Sequence, residues 1–445
     1  LALMQHQRNC RIFQTQSVPD IVKQLLDENG LHPYSFMLIR QYQPREYCVQ
    51  YNETNLEFIQ RILAEVGITF YFSCQHGQHQ LVFTDDISGM HNFPLPVMLH
   101  QHAAQAQGAY SLNSWKQTHR IHSQQWTHRE YTTDTPMQPL ESSTPASAQS
   151  QLPGLQQQLS HFNYPSHASN EAESSLLSKL HQARVECLAH FIETGGNYCQ
   201  MLAGSVFQLQ SANPQVRAGK FLTTRVTHYA EDYSQNPLQG HKQRAQRYHN
   251  QMTVLSSQYV YQPPLRARPH ITSLQTAFVT GNGKGVITDE LGRVHVKFHW
   301  DRSDTVGNNT SCWLRVAQAW SSNGFGWSFI PRVGQEVLVQ FMHGDAAEPL
   351  IVGAVPNMDN NTPTTLPTKR SQLALSSQSL GDSSKHHQIV FDDDPDDAKI
   401  LLKSAKDLYQ DIGNDWVENV GENYLVEAEN EVTTVIGDFF ADAKS

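Results

Sequence analysis

The chain has 445 residues, a length that predicts roughly two to four domains. No run approaches the roughly 18 consecutive apolar residues of a membrane-spanning helix, so no membrane span is expected. The net charge of −10 is uneven, because 16 acidic residues and 5 lysines lie from Gly381 onward and the remainder is near neutral. Without a large basic surface, we expect no nucleic-acid partner.

Cysteine usage indicates the redox compartment. The six cysteines lie far apart and show no CxxC spacing, a pattern typical of free thiols in a reducing cytosol rather than of a disulfide framework. No secretory signal peptide is visible, and the chain begins at Leu1 without a methionine. The cysteines are Cys10, Cys48, Cys74, Cys187, Cys199 and Cys312.

Residues 1–268 mix helical and strand patterns. Ser17 with Asp20 resembles a capping box, and Thr54 with Glu57 opens a second helix in the same way. Glycines are typical helix terminators. The helices are expected to stop at Gly30 and Gly67, and the strands ITFYFSC (68–74) and QLVFTDD (80–86) follow.

The second half of this region begins with a segment rich in Pro, Ser and Gln. Residues 134–166 are expected to form a loop, and a third helix is expected to run from near Asn170 to Gly195-Gly196. The sequence therefore predicts two α+β halves around the loop. The later strands are FQLQ (207–210) and FLTTRVTHYA (221–230).

Residues 271–356 have a different pattern. Apolar and polar residues alternate over 293–300, as in a half-buried strand. Five short strands in this length are typical of a small Greek-key barrel of the OB type. The segment from Lys284 to Val355 holds 6 bases and 7 acids, so we expect a structural barrel rather than a nucleic-acid groove. The predicted strands are 286–289, 293–300, 312–318, 334–342 and 349–355, and the predicted packing residues are Trp313, Trp327 and Val337.

The remainder consists of a polar stretch and a repeat. Residues 357–388 are expected to form an extended linker, and 389–445 the start of a needle. From Ile412 the chain repeats every eight residues, as IGNDWVEN, VGENYLVE, AENEVTTV and IGDFFADA, which predicts an elongated, stacked structure. Every fourth residue is apolar, and this period-four row is Ile412, Trp416, Val420, Tyr424, Ala428, Val432, Ile436 and Phe440.

The spacing of the row favours strands over a helix. Four residues turn an α-helix by about 400°, so the row would drift by about 40° per step. On a strand, residues four apart stay on one face. One octet supplies about one wall of a prism, so we predict a homotrimer in which three chains enclose a common axis. An ordinary hairpin meander is the alternative. The repeat is cut at Ser445, so we expect more needle or an effector domain beyond it.

The sequence carries no motif that predicts catalysis. The chain has no GxSxG, HExxH or Walker motif, and the glycine-rich run 281–285 is expected to be a flexible approach to the barrel. We expect no catalytic, cofactor or metal site. Asp392, Asp393, Asp394, Asp396 and Asp397 contain the oxygen ligands that Ca²⁺ prefers but are expected to form a solvated turn. Histidines expected to serve packing or surface roles are His119, His122, His128, His386 and His387.

Several runs resemble the VgrG family, the valine-glycine repeat spikes of type VI secretion. RVHVKFHWDR (293–302), the run 311–345 containing PRVGQEV, and PLIVGAVPN (349–357) resemble the family's barrel. EYCVQYNETNLEFIQRILAEVGITFYF (46–72) resembles the hub signature, and AGSVFQLQ (203–210) with FLTTRVTHYA resembles its second half. The resemblance covers essentially the whole chain and departs from the family pattern at 345–349.

This resemblance implies a mainly β protein with an α+β hub, an OB barrel and a trimeric intertwined β-helix (β-prism) needle, similar to phage tail hub and spike proteins. It implies a non-enzymatic spike that caps an Hcp tube, carries a PAAR-type tip protein and effectors, and punctures a target-cell membrane. The spike would assemble in the cytoplasm of a Gram-negative bacterium and be secreted without a signal peptide. A glycan-degrading β-helix enzyme with an accessory hub, or a prophage tail spike, are the alternatives.

Overall fold

The computed structural model describes residues 1–75, 77–100, 110–155, 158–211, 213–231 and 248–429. They belong to two compact units, Leu1–Asn361 and Thr362–Ser445. The fold is mainly β, with 39% strand and 14% helix. In the part of the chain that is described, none of the helices combines the length and apolar character of a membrane span.

The first unit starts with two helices packed on short sheets. Strand β1 pairs antiparallel with β3, and β2, β5 and β4 form a second sheet in that order. Apolar residues of both helices, among them Ile21, Leu25, Phe58 and Ile62, are buried together with Phe13 and Phe83. The elements are β1 (Arg8–Gln16), α1 (Val18–Glu28), β2 (Tyr34–Met37), β3 (Arg45–Thr54), α2 (Asn55–Glu65), β4 (Thr69–Gln75) and β5 (Gln78–Thr84).

The ends of these helices follow from local chemistry. The Ser17 hydroxyl accepts a hydrogen bond from the Asp20 amide at the start of α1. Thr54 and Glu57 form a complete reciprocal capping box at the start of α2, because each side chain bonds the other residue's backbone N–H. Gly30 has φ +61 just beyond α1, a left-handed conformation that glycine adopts without steric cost.

The next region is a seven-stranded sheet with a helix-covered three-stranded sheet beside it. The strand order is β14-β15-β12-β8-β7-β13-β6, and a further β13–β14 pairing closes six strands into a ring. Helix α3 packs on β9 and β10. The elements are β6 (His91–Asn92), β7 (Val97–Leu99), β8 (Leu112–His119), β9 (Gln125–Glu130), β10 (Leu140–Pro145), β11 (Ser160–Asn163), α3 (Glu171–Ala189), β12 (His190–Gly196), β13 (Ser205–Ser211), β14 (Gly219–Ala230) and β15 (Tyr248–Ser256).

Two expectations for this region are wrong. Residues 134–166 are not wholly a loop, because β10 and β11 pair with the two edges of β9. Helix α3 does begin after Asn170 but ends at Ala189, since His190–Gly196 is held as a strand between β8 and β15. The glycines predicted as a helix stop instead allow close strand contact. A Cβ on Gly196 would lie 2.2 Å from the Ser111 carbonyl oxygen.

Residues 275–354 form a closed five-stranded barrel. The strand order is β17-β16-β21-β22-β18, and a two-hydrogen-bond bridge between Val294 and Leu314 joins the two edges. Val296, Phe298 and Val337 are buried in its core. The strands are β16 (Gln275–Thr280), β17 (His295–Phe298), β18 (Arg315–Val316), the small β19 (Ser321–Ser322) and β20 (Phe325–Gly326) hairpin, β21 (Glu336–Phe341) and β22 (Pro349–Ala354).

The barrel differs from the prediction in its first strand and one packing residue. The first strand is β16, not 286–289, because QTAFVT pairs with both β17 and β21. Ile287 lies in the loop, where its side chain packs against Gly281. Val337 is fully buried and Trp313 is half-buried against the His295 ring, but Trp327 is 55% exposed. Trp327 lies just beyond the β19–β20 hairpin, outside the five barrel strands.

The second unit contains a three-stranded antiparallel sheet, which we name the basal sheet. Its strands are β23 (Gln372–Ser379), β24 (Asp382–Asp392) and β25 (Lys399–Lys403), in that order. Strand β23 and part of β24 lie inside the expected linker 357–388. The turn at Leu380-Gly381, where Gly381 has φ +83, folds this polar segment back into a hairpin. Described residues 404–429 form no strand.

Candidate functional site

We use the name hub for residues 1–268, and strand β3 joins the hub to the barrel. Its side chains alternate between faces. Cys48 packs in the hub core beside Phe13. Val49 is buried in the barrel core, and Tyr47 and Tyr51 pack against that core on the same face. One strand therefore contributes side chains to two hydrophobic cores, and this shared apolar burial holds the hub to the barrel.

Hydrogen bonds reinforce this contact at its edge. The Tyr51 hydroxyl accepts from the Gln275 side-chain amide at 2.8 Å. The indole N–H of Trp300 donates to the carbonyl of the same amide at 2.9 Å, and the Tyr51 and Trp300 rings meet edge to face. Gln275 on the first barrel strand therefore links a hub tyrosine to a barrel tryptophan.

A buried ionic network runs beside the shared strand. Arg61 on α2 donates to both oxygens of Glu53, at 2.7 and 2.8 Å, and to Glu65 at 3.1 Å. The Glu65 carboxylate also accepts from Arg45 at 2.8 Å and forms an ion pair with Arg268 at 3.0 Å. Three guanidinium groups thus converge on one buried carboxylate, in an arrangement that satisfies its charge.

Arg268 carries the network across to the barrel. Its guanidinium donates to the Asp345 carboxylate on the turn between β21 and β22. Burial by itself raises the pKa of Glu65 and of Asp345. The guanidiniums of Arg268, Arg45 and Arg61 nevertheless hold the pKa of Glu65 well below its usual range, and Arg268 lowers that of Asp345. Both carboxylates are therefore charged at neutral pH and link the two domains electrostatically.

The turn that holds Asp345 also meets a hub loop. The Nδ1 atom of His167, on the loop between β11 and α3, lies 2.9 Å from a Glu348 oxygen and 3.6 Å from an Asp345 oxygen. This turn is the segment 345–349 at which the sequence departs from the VgrG pattern. Sequence analysis did not single out His167, because it lies 181 positions from Glu348.

The histidines considered as metal ligands lie mostly in the second half of the hub. His119 and His190 bring their Nδ1 atoms to 2.8 Å, and His122 meets the His190 ring edge to face. His128 is buried against Trp126 and His181 under helix α3. The structure therefore assembles two histidine clusters from residues whose spacing in the sequence did not suggest any.

The other candidate ligands lie in the basal sheet. His387 contacts the Ser404 hydroxyl through Nδ1, and His386 lies 3.2 Å from the Lys403 ammonium. The Asp392 carboxylate accepts from Ser371 and Gln372, and Asp397 pairs with Lys399. The aspartates from 392 to 397 thus include groups tied to neighbouring polar side chains rather than grouped around one point.

The period-four row is open to solvent in the single chain. Ile412, Trp416, Val420 and Tyr424 are between 44% and 66% exposed, and Ala428 is exposed as well. Val432, Ile436 and Phe440 lie outside the described residues. Aromatic and β-branched side chains at this exposure leave apolar surface uncovered. That the row forms the core of a needle stays a prediction.

The basal sheet carries a second apolar surface that the sequence analysis missed. Leu373 pairs with Phe391 and Phe391 with Ile400, while Leu375 pairs with Ile389 and Ile389 with Leu402. Because residues two apart share a face, all six lie on one side. They are between 37% and 71% exposed. The signal was a pair of large apolar residues two positions apart in each strand. The polar residues around the first pair, and the apolar Val390 and Leu401 within the other two, left no clear period-two alternation.

Comparisons with known proteins identify families that share this architecture. The family model for the phage tail baseplate hub (GPD) matches residues 1–234. The chain belongs to this family. The model for the type VI secretion system/phage-baseplate injector OB domain matches residues 275–355, in agreement with the observed barrel. The type VI secretion spike protein VgrG4b of Pseudomonas aeruginosa is 31% identical over 438 residues, which are 95% of this chain and 53% of that protein.

Solved structures support the fold of this baseplate hub family member. A component of the E. coli type VI secretion system, described as similar to the T4 tail proteins gp27 and gp5, matches with a TM-score of 0.52 and 21% identity over 80% of this chain and 76% of that one. A Francisella PdpA–VgrG complex matches with a TM-score of 0.53 and 10% identity over 91% of this chain and 64% of that one. The two family models and the curated relatives confirm the resemblance to VgrG spikes. The chain spans about half the length of the curated relatives it matches.

Proposed function

We propose that this chain is the structural spike subunit of a type VI secretion machine and acts as a homotrimer. The observation that carries the proposal is the order of its parts: a hub, a closed barrel, and then an apolar sheet face and an apolar row that the single chain leaves exposed. Two further copies would cover these surfaces. In such a particle the needle is an intertwined β-prism with the period-four row inside.

The apolar face of the basal sheet gives a measure of the association energy. Its six side chains are about half exposed in the single chain. Full burial of a large aliphatic or aromatic side chain contributes roughly 1.5–3 kcal/mol, so burying the exposed half of six contributes roughly 5–9 kcal/mol per chain. This gross gain favours association before its entropic cost is subtracted, and burial of the period-four row would add to it.

The hub–barrel junction suits a part that carries mechanical load. A puncturing spike must transmit force from a tube through the hub to the needle without the domains separating. Strand β3 has one face in each core, and the Glu65 network bridges the same boundary. Shared burial and charge pairing both resist separation, because pulling the domains apart exposes apolar surface and unpaired charges together.

The remaining parts of the proposal rest on the resemblance. The hub would cap a tube of Hcp rings, a PAAR-type protein would sharpen the tip, and effectors would travel with the spike. The protein would work without catalysis, assemble in the cytoplasm and leave through the type VI apparatus. The matched PdpA–VgrG complex shows a VgrG protein bound to another protein, which supports the effector or partner role of the assembled spike.

Light scattering after gel filtration tests the trimer. The wild-type chain is expected at three times the mass of one copy. The double variant Phe391→Asp/Ile400→Asp places charges in the centre of the apolar face and is expected to shift the chain to monomer. Val306→Asp alters a 79% exposed residue of the barrel and is the control, expected to remain trimeric. A wild-type monomer with a stable far-UV β signal, or a trimeric double variant, contradicts the proposal.

A further inference from the structure

A hub loop and a barrel turn bring three metal-ligating side chains together. Asp345 and Glu348 lie on one tight turn, in which the Glu348 amide donates to the Asp345 carbonyl at 3.0 Å. His167 faces them from the hub loop, with its backbone in the left-handed region at φ +60 and its amide bonded to the Glu130 carboxylate. Hydrogen bonds to main-chain groups therefore hold the backbone of both the barrel turn and the hub loop.

One nitrogen atom, His167 Nδ1, lies close to two carboxylates at once. His167 Nδ1 lies 2.9 Å from Glu348 and 3.6 Å from Asp345, and the ligand atoms of all three residues lie within 4.8 Å of one another. A proton on Nδ1 donates well to only one of two carboxylates. A metal ion placed between them is bound by all three side chains at once.

We propose that His167, Asp345 and Glu348 bind a divalent transition-metal ion, with zinc preferred, that clips the hub loop to the barrel turn. With bonds of about 2.1 Å, N···O separations of 2.9 and 3.6 Å correspond to angles of about 90° and 120° at the metal. An imidazole with two carboxylates suits zinc better than calcium or magnesium, which take oxygen ligands. Three protein ligands leave a position for water.

The surroundings supply the support that metal ligands need. Ligating carboxylates are themselves hydrogen-bonded in metal sites. Here Asp345 accepts from the Ala347 amide at 2.9 Å and from Arg268. Arg268 is a positive charge beside the site, but it is shared with Glu65, so it does not neutralise both carboxylates of the cluster. A cation at the site therefore meets two carboxylates and one guanidinium, which bonds the same Asp345 oxygen that faces His167 and also pairs with Glu65.

The cluster is also accessible to an incoming ion. The side chains of His167, Asp345 and Glu348 are 23%, 11% and 31% exposed. Two carboxylate oxygens on one tetrahedral ion lie about 3.4 Å apart, so closure from the widest possible spacing of 4.8 Å requires a shift of about 1.4 Å. The partly exposed Glu348 side chain provides that movement by rotation.

Zinc titration of the full-length, EDTA-treated chain tests the site, with calorimetry for zinc chloride and visible absorption for cobalt chloride. The variants are His167→Gln and Glu348→Gln. Each keeps a polar side chain of similar size and removes one ligand. His32→Gln is the control, because His32 lies 3.7 Å from a single carboxylate, Asp27. A control is essential in a chain with 23 histidines.

We expect one zinc site in the wild type and the His32→Gln control that is weakened at least tenfold in both cluster variants. We also expect zinc to raise the Tm of the wild type and the control only. Far-UV circular dichroism without metal establishes that each variant is folded. The proposal is overturned if the wild type takes up no zinc, if all four proteins bind zinc alike, or if calcium or magnesium competes equally well.

Discussion

Replacing Glu65 by glutamine is expected to weaken the hub–barrel unit strongly. The Glu65 carboxylate is buried, accepts from Arg45 and Arg61, and forms an ion pair with Arg268. Removing one partner of a buried ion pair costs about 3–5 kcal/mol, because the remaining charges stay buried without compensation. In the variant Arg61 still pairs with Glu53 and Arg268 still pairs with Asp345, so Arg45 loses the largest share of its charge compensation. The variant Glu65→Gln has nearly the same volume, which confines the change to the charge.

The size of the unit converts this energy into a temperature. At about 2.1 cal/mol/K per residue, a cooperative unit spanning Leu1–Asn361 has an unfolding entropy of about 0.76 kcal/mol/K, so the expected loss in Tm is about 4–7 °C. Differential scanning calorimetry measures it. Glu28→Gln removes a more exposed pair with Arg11 and is the control, expected to cost about 1 kcal/mol or less.

The pH dependence gives a second, independent check. Because the pKa of Glu65 is lowered in the folded state, its stabilising contribution is complete above the unfolded value of about 4.3 and is lost as the pH falls below it. The difference in unfolding free energy between wild type and Glu65→Gln is therefore expected to be constant from pH 6 to 8 and to shrink below about pH 4. Equal Tm losses in Glu65→Gln and Glu28→Gln would refute the reasoning.

Two further predictions concern the hub. Burial lowers the pKa of His128 to about 4 and that of His181 to about 3, so the unfolding free energy should fall as the pH drops below about 6.5. Urea titrations at pH 7 and 4.5 should show a smaller fall in unfolding free energy for His181→Leu than for the wild type. A fall as large as that of the wild type contradicts this. Gly204→Ala should cost roughly 2–5 kcal/mol, because its Cβ would lie 2.5 Å from the Tyr71 ring at φ +86. Gly30→Ala, at φ +61 with open space, should cost only about 1–2 kcal/mol in the same urea assay, and equal losses would show that the ring contact is unimportant.

Local signals were reliable where a few adjacent residues decide the structure. Thr54 and Glu57 predict the start of α2 because the capping box needs only side chains three positions apart and their own backbone. The alternation over 293–300 predicts a half-buried strand, of which Val294, Val296 and Phe298 are buried in the barrel. Both patterns describe contacts that form within one turn or one strand.

The same local signals failed where a distant partner decides. Gly195 and Gly196 look like a helix stop, yet the segment before them is a strand because β8 and β15 offer hydrogen-bonding edges on both sides. The polar residues after 357 look like a linker, yet they pair with β24. In each case long-range pairing overrides local propensity.

The sequence by itself determined the broad plan of this protein: the helix starts, a small β barrel, an acidic C-terminal repeat and the resemblance to VgrG spikes. Those features depend on residue spacing and composition, which are visible in one dimension. Only the tertiary structure decided that β3 is shared by two cores, that three guanidiniums surround Glu65, and that His167 meets Asp345 and Glu348. These contacts join residues far apart in the chain, and their spacing carries no period from which they could be read.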